Sequence, residues 1–217
     1  MRVLITAGPT RQPIDDVRFI TNRSSGKMGA AIAHACQAAG WDVTLLLGPV
    51  DSSVVQSVGG NVDIQRFETV DELQSLLAAE FPRCDVLVMA AAVGDFQPAH
   101  ATGKLSRSAG AFDLHLEPTE DISAMVAATK RADQYVVTFA VEAGDRQTIE
   151  AKARKKLAAK NADVVLLNAP AAMGADESEA CILSADGVVL PWDRRSKVQL
   201  AQTLIPILAK PFSPDAD

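Results

Sequence analysis

A nine-residue segment near the N-terminus, residues 21–29 (TNRSSGKMG), combines residue types that bind anions. Its glycines stand where a long polar loop leads into a helix predicted from about Lys27 to Ala39. Glycine lets a ligand approach the backbone, and the first N–H groups of a helix lack partners within it, so this junction suits a phosphate. Met28 stands where a P-loop has Ser or Thr, and the glycine spacing of a dinucleotide fingerprint is absent. The segment therefore predicts a nucleotide site of another type.

Small and polar residues also follow several apolar segments, at residues 90–95 (AAAVGD), at Phe139 with Glu142, and at Asn168. Open α/β sheets bind ligands at the carboxyl ends of their strands, so we expect these residues near one site. Asp95 would accept hydrogen bonds from ligand hydroxyls or hold a Mg²⁺-bound water, and Phe139 would lie against a base. Taken alone, Asp95 is better explained as a helix cap or a turn residue, and Phe139 as a core residue.

Four lysines are further candidates. Lys152, Lys156 and Lys160 share one face of a predicted helix, where they would hold a polyphosphate, although spacing alone favours a solvated face. Lys104, in a loop at 97–110, is by itself an ordinary surface lysine.

The connection from residue 8 to residue 25 is long for a strand-to-helix loop. It carries three arginines and two adjacent aspartates: Arg11, Arg18, Arg23, Asp15 and Asp16. Its position at a sheet edge favours an anion-binding loop over a solvated surface excursion.

Apolar runs alternate with helical patterns along the chain, which predicts an α/β fold: a doubly wound, Rossmann-like, mostly parallel sheet with helices on both faces. A single domain at 1–210 and a loose tail at 211–217 are expected. Residues 96–118, with an alternating run at 112–116, and a hairpin at 178–191 interrupt the rhythm. Strands are predicted at 2–7, 42–47, 62–66, 84–91, 135–140 and 163–168, and helices at 26–39, 69–80, 121–131, 146–160 and 194–209.

The bulk properties exclude several classes of protein. The 217 residues carry a net charge of −6, which argues against nonspecific nucleic-acid binding. No apolar run is long enough to span a membrane, and a cytoplasmic location is expected. The three cysteines have no metal-ligand spacing and are predicted to be buried free thiols, while the three histidines are too scattered for a metal site. Neither a dehydrogenase fingerprint nor a serine-hydrolase elbow is present.

Several segments together resemble one enzyme family. They are residues 5–11 (ITAGPTR), 18–29 (RFITNRSSGKMG), 91–96 (AAVGDF), 136–142 (VVTFAVE) and 156–163 (KLAAKNAD) with Asn168. In this order they resemble phosphopantothenoylcysteine synthetase of coenzyme A biosynthesis, over about residues 3–209. The resemblance implies a ligase that activates 4′-phosphopantothenate with CTP, as an acyl-cytidylate, and then joins it to L-cysteine. The flavin-dependent decarboxylase to which this domain is commonly fused is missing, so no flavin is expected; a fragment of a fused protein is the alternative.

The resemblance also implies roles for individual residues. Asn22 would stabilise the acyl-cytidylate, and Lys104 would neutralise the triphosphate in the first step. Mg²⁺ would accompany the nucleotide without a protein metal cage, and residues 96–118 and 178–191 would form the extension that makes a homodimer. Phosphopantothenate would contact Asn22, Ala91, Ala92 and Asp95. The nucleotide would contact Ser24, Gly26, Gly29, Ala90, Ala91, Asp95, Lys104, Asp121, Ile122, Phe139, Lys156, Lys160 and Asn168.

Two positions depart from the family pattern. Leu105-Ser106-Arg107 replaces an isoleucine and two lysines, which leaves Lys104 as the only flap lysine and predicts a weaker hold on the triphosphate. Glu120 replaces a proline before the helix at 121–131, and this carboxylate has no explanation from sequence. Two alternatives stay open: a nucleotide- or flavin-binding oxidoreductase, and a binding module without turnover. The choice of CTP over ATP is open as well.

Overall fold

The computed structural model describes residues 1–106, 108, 110–141, 144–169 and 174–213. The strands are β1 (Arg2–Ala7), β2 (Arg11–Pro13), β3 (Phe19–Thr21), β4 (Asp42–Leu47), β5 (Asp63–Arg66), β6 (Val86–Met89), β7 (Phe96–Pro98), β8 (Leu116–Pro118), β9 (Tyr135–Val141), β10 (Val164–Asn168), β11 (Glu177–Ser184) and β12 (Gly187–Ser196). The helices are α1 (Lys27–Ala38), α2 (Ser52–Ser57), α3 (Val70–Glu80), α4 (Ile122–Thr129), α5 (Arg146–Ala159) and α6 (Lys197–Ala209).

Eight strands form a central sheet in the order β12-β11-β10-β9-β6-β1-β4-β5. Six of them are parallel, and β11 and β12 add an antiparallel hairpin at one end. The order reverses at the neighbours β1 and β6, which is the point where a doubly wound sheet opens a ligand crevice. The predicted α/β fold is therefore confirmed.

Burial on both faces explains why the central strands are almost continuously apolar. All four residues of β6 are buried, as are five of the six in β1. One face packs against α1, α2 and α6, and the other against α3, α4 and α5. Capping boxes at Thr69 with Glu72 and at Ser196 with Gln199 fix where α3 and α6 begin.

Two short ribbons lie outside the central sheet. The β2–β3 hairpin occupies the long connection after β1, and β7 pairs with β8 over three residues. A hydrogen bond of 2.9 Å from Gln12 Nε2 to Gln97 Oε1 joins the ribbons. We call residues 11–21, 96–106 and 110–118 together the arm.

Several boundaries differ from the sequence prediction for identifiable reasons. The last helix begins at Lys197 because the second hairpin strand continues to Ser196. Helix α2 was missed, since six residues are too few to show a helical period. The alternating run at 112–116 is strand only at Leu116, because β7 offers β8 just three partner residues. The predicted hairpin at 178–191 is confirmed, and it extends the central sheet. Of the predicted tail, residues 214–217 lie outside the described part of the chain, as do Arg107 and Glu142.

Candidate active site

The segment after β6 forms the floor of the site. Residues 90–94, which we call the floor, are held to the end of β1 by a series of hydrogen bonds. Ala91 N donates to Thr6 Oγ1 at 3.1 Å, Ala92 N to Gly8 O at 2.9 Å, and Gly94 N to Thr10 Oγ1 at 2.9 Å. Thr6 and Thr10 are each 1% exposed, so these hydroxyls are internal supports. The floor is therefore positioned by the sheet itself.

The two glycines of residues 21–29, Gly26 and Gly29, have separate structural duties. Gly26 caps α1 with φ of 73°, a left-handed conformation that favours glycine. Gly29 is buried inside the first turn of α1, where a Cβ would lie 2.4 Å from Ala7 Cβ. Gly29 therefore lets α1 pack closely on β1 and brings its N-terminal end to the floor.

Asn22 lies over the floor. Its Nδ2 donates to Ala92 O at 3.3 Å and to Val93 O at 3.0 Å. Thr21, the residue before Asn22, is held in place because its Oγ1 donates to Thr10 O at 2.8 Å. The amide is thus oriented by the floor, and a substrate oxygen that receives its hydrogen bond must displace one of these two carbonyls.

Two adjoining cavities open above the floor, with volumes of about 340 and 270 Å³. They share Ala91, Asp95, Phe139 and Lys160, so they form one cleft at the carboxyl edge of the sheet. Twelve of the residues predicted for the site line it: Asn22, Ser24, Ala90, Ala91, Ala92, Asp95, Asp121, Ile122, Phe139, Lys156, Lys160 and Asn168.

Opposite charges meet at one end of the cleft. Lys160 Nζ lies 3.2 Å from Ser123 Oγ and 3.9 Å from Asp121 Oδ1. Asp121 Oδ1 also caps α4 by accepting from Ser123 N at 2.9 Å. Glu120, unexplained from sequence, accepts from Gln74 Nε2 at 3.0 Å and so contacts α3. The cleft therefore offers ammonium groups for phosphates and carboxylates beside them.

Comparison with known proteins identifies the family. Residues 1–212 match the DNA/pantothenate metabolism flavoprotein C-terminal domain. The chain belongs to this family.

The chain resembles family members over most of its own length. It is 36% identical to the coenzyme A biosynthesis bifunctional protein CoaBC of Mycobacterium tuberculosis, over 94% of this chain and 51% of that protein. It is also 36% identical to a prokaryotic protein named cysteine/cysteine sulfinic acid decarboxylase, over 94% of this chain and 56% of that protein. The chain thus spans about half the length of these curated relatives. The crystal structure of the C-terminal domain of CoaBC superimposes with a TM-score of 0.77 at 30% identity, covering 95% of this chain and 93% of that one.

Three residues that the family resemblance implies do not line the cleft. Gly26 supplies the left-handed cap of α1, and Gly29 allows the close packing of α1 on β1. Lys104 is exposed on the arm, and its neighbours are bound to the β2–β3 loop. Contact between the Lys104 side chain and a ligand in the cleft therefore remains a prediction.

The cleft also includes residues that sequence reasoning missed. Ser178 on β11 and Lys197 at the start of α6 line it, and both come after Asn168, the last of the predicted site residues. Ser178 Oγ lies 3.2 Å from Asn168 Oδ1, a contact set by the pairing of β10 with β11. Burial lowers the pKa of Lys197 below its ordinary value, and nearby Lys27 lowers it further while Asp176 opposes the shift. Lys197 falls inside the helix predicted at 194–209, so the sequence placed it on a helix but not at the cleft.

The cysteines take no part in the cleft. Cys36, Cys84 and Cys181 are buried free thiols, as predicted. Burial raises the pKa of Cys36 and of Cys84 to about 12 and that of Cys181 to about 11, so all three thiols are protonated at neutral pH. Within the described ranges, no three His, Cys, Asp or Glu side chains cluster as a metal site, and no helix has the length and apolar composition to cross a membrane.

Proposed function

We propose that this chain is a phosphopantothenate–cysteine ligase that uses CTP. The observation that carries the proposal is the cleft. It gathers Asn22, the small residues of the floor, an aromatic ring and two lysines from segments up to 146 residues apart, between Asn22 and Asn168. Membership of a family whose relatives include coenzyme A biosynthesis proteins supports the same reading.

The proposed chemistry has two steps. A carboxylate oxygen of 4′-phosphopantothenate attacks the α-phosphorus of CTP, and pyrophosphate leaves with the electrons of the broken P–O bond. The amine of cysteine then attacks the carbonyl carbon of the acyl-cytidylate, CMP leaves, and the amine loses a proton. Activation is needed because a free carboxylate is a poor acyl electrophile. The reaction uses no flavin.

The residues of the cleft have distinct tasks in this reaction. Lys156 and Lys160 hold the phosphates by charge, and Phe139 lies against the base. Asn22 donates to the acyl oxygen as negative charge develops there, after that oxygen replaces a floor carbonyl. The lysine of the arm, Lys104, reaches the triphosphate in the first step.

Mg²⁺ fits the donors of the cleft. Mg²⁺ usually binds one or two carboxylates, several waters and substrate phosphates, and Asp95 and Asp121 provide such carboxylates. Bound there, the ion would offset the charge of the triphosphate. These two side chains are the candidates to hold it, and Lys160 beside Asp121 would contact the same phosphates.

We also propose a homodimer that covers the arm. Large apolar side chains on the arm are between 37% and 59% exposed: Val17, Phe19, Phe96, Phe112, Leu114 and Leu116. Such a concentration of exposed apolar groups marks an interaction surface. Sedimentation of the purified chain tests the proposal, and a monomer at micromolar concentration would contradict it. The cytoplasmic location expected from sequence stays a prediction.

Pyrophosphate release tests the function. Purified protein receives 4′-phosphopantothenate, Mg²⁺ and either CTP or ATP, with and without cysteine. With CTP as the nucleotide, we expect a burst of pyrophosphate without cysteine and steady turnover when cysteine is added. No release with either nucleotide would contradict the proposal, and steady release with ATP only would correct the nucleotide. Because one relative is named as a decarboxylase, CO₂ release from cysteine is measured in parallel and is expected to be absent.

A further inference from the structure

The most heavily bonded charge on the arm is Asp15. Its side chain is buried, and the residue is 3% exposed although it belongs to a surface hairpin. Oδ1 accepts from Val17 N at 2.9 Å and from Arg18 N at 2.7 Å, which closes the hairpin loop. Oδ2 accepts from Arg18 Nε at 3.0 Å and also from Arg18 Nη2. One carboxylate therefore satisfies both the loop backbone and a guanidinium.

The same oxygen reaches across to the second half of the arm. Leu105 N donates to Asp15 Oδ2 at 3.0 Å, and Arg18 Nη2 donates to Leu105 O at 3.0 Å. Both backbone groups of Leu105 are thus bound by the Asp15–Arg18 pair. Removing a hydrogen-bond donor costs more free energy at a buried carboxylate than at an exposed one. Asp15 therefore attaches Leu105 firmly.

Two further bonds hold the residues before Leu105. Gly103 N donates to Asp16 Oδ2 at 3.0 Å, and Ala101 N donates to Ile14 O at 2.9 Å. Together with the bonds to Leu105 they form a ladder between residues 14–18 and 101–105. Lys104 lies between two of its rungs, so the backbone on each side of this lysine is fixed while its side chain extends into solvent.

We propose that Asp15, together with Arg18, is a positioning residue that fixes the root of Lys104 for nucleotide activation. The inference rests on the proposed function and on the role given there to Lys104. The number of bonds to Asp15 argues for an attachment that persists through the catalytic cycle rather than one that opens at each turnover. The β2–β3 hairpin that carries Asp15 continues directly into Asn22, so two side chains of the proposed mechanism share one support.

Asp15→Asn distinguishes the bonds to Oδ1 from the bonds to Oδ2. The asparagine oxygen can keep the bonds from Val17 N and Arg18 N, while its amide nitrogen faces the N–H groups of Leu105 and Arg18, donor against donor. Asp133→Asn is the matched control, because Asp133 also pairs with an arginine, Arg131 at 2.9 Å, but lies just before β9 at the opposite edge of the sheet. Asp16→Ala removes one rung of the ladder, together with a 3.4 Å contact between Asp16 Oδ1 and His100 Nε2, and serves as a milder variant.

The activity test uses single-turnover pyrophosphate release from CTP and 4′-phosphopantothenate. We expect Asp15→Asn to slow release by about ten- to a hundredfold, Asp16→Ala by a smaller factor, and Asp133→Asn not at all. In the Lys104→Gln background, Asp15→Asn should slow release little further, because both changes act through one side chain. Wild-type rates in Asp15→Asn, faster release, or independent losses in the double variant would each overturn the proposal.

A second readout does not depend on activity. Hydrogen exchange of residues 101–106 should accelerate in Asp15→Asn, while the central strands keep their wild-type protection. If wild-type protein releases no pyrophosphate, the proposed function fails, and exchange still decides whether Asp15 holds this segment. Unchanged exchange in Asp15→Asn would overturn the structural half of the inference.

Discussion

The floor and the arm approach the same cleft but differ in what supports them: a buried strand carries the floor, and hydrogen bonds between surface loops hold the arm. Residues 90–94 follow a fully buried strand and are bound to β1 through backbone groups and two buried threonines. The arm has two short ribbons, exposes large apolar side chains, and is joined by side-chain bonds from Gln12, Asp15 and Asp16. The buried strands that carry the floor should therefore respond to changes of volume, and the arm to changes of single polar groups.

The largest expected effect is at Asn22, where arm and floor meet. Asn22→Ala removes the donor that we propose binds the acyl oxygen, and loss of such a donor costs about 3–4 kcal/mol of transition-state stabilisation, or roughly a hundred- to a thousandfold in rate. We expect product formation to fall by that factor while pyrophosphate release continues, so that acyl-cytidylate accumulates. Quenched-flow separation of nucleotide products measures both steps. Normal product formation would remove Asn22 from the second step.

A change of volume where α1 packs on β1 should come next. In Gly29→Ala the new Cβ would meet Ala7 Cβ at 2.4 Å, and both α1 and β1 must shift to accept it. Overpacking of this kind costs about 1–3 kcal/mol of unfolding free energy. Urea denaturation measures it, with Gly60→Ala as the control because nothing lies within 4 Å of a Cβ at Gly60. Equal stability of the two variants would show that the packing of α1 on β1 tolerates an added methyl group.

The difference between the buried strands and the arm also explains which parts of the fold and of the cleft could be predicted from the sequence. Runs such as residues 86–89 predicted the sheet, because burial on both faces leaves a continuous apolar pattern. The predicted sheet also indicated which residues lie at the carboxyl ends of its strands, and twelve predicted site residues do line the cleft. The Asp15–Leu105 contact could not be predicted, since it joins residues 90 positions apart in two loops without a periodic pattern. Ser178 and Lys197 were missed because the pairing of the last hairpin with β10 sets their positions.

A smaller effect is expected from one lysine of the cleft. Lys160→Gln removes a charge that lines both cavities, so we expect the KM for CTP to rise about tenfold, or about 1.4 kcal/mol, with little change in kcat. Lys152→Gln is the matched control, because Lys152 is exposed on α5, the helix that Lys160 directly follows, and is not among the residues that line the cleft. Steady-state kinetics with varied CTP compares the two. An equal rise in both variants would assign the effect to the general charge of α5.

The smallest expected effect is that of pH on the bonds to Asp15, which should be absent over ordinary pH. It is also the sharpest test of the difference between the arm and the floor. The guanidinium of Arg18, followed by the N–H groups of Leu105, Val17 and Arg18, holds the pKa of Asp15 far below its ordinary value. Because the folded protein prefers the ionised carboxylate, Asp15 contributes fully to the stability of the folded protein above the ordinary carboxyl range, near about pH 4. This stabilisation is lost as the pH falls through that range toward the lower folded pKa. The Leu105 amide, which donates to Asp15, should therefore keep its NMR chemical shift from pH 8 to pH 5 and move only in stronger acid. The Ala91 amide donates to the hydroxyl of Thr6, which does not titrate, so its shift should not follow the same transition. If the two amides moved together at the onset of acid, global unfolding would be the cause, and the arm would have no separate response.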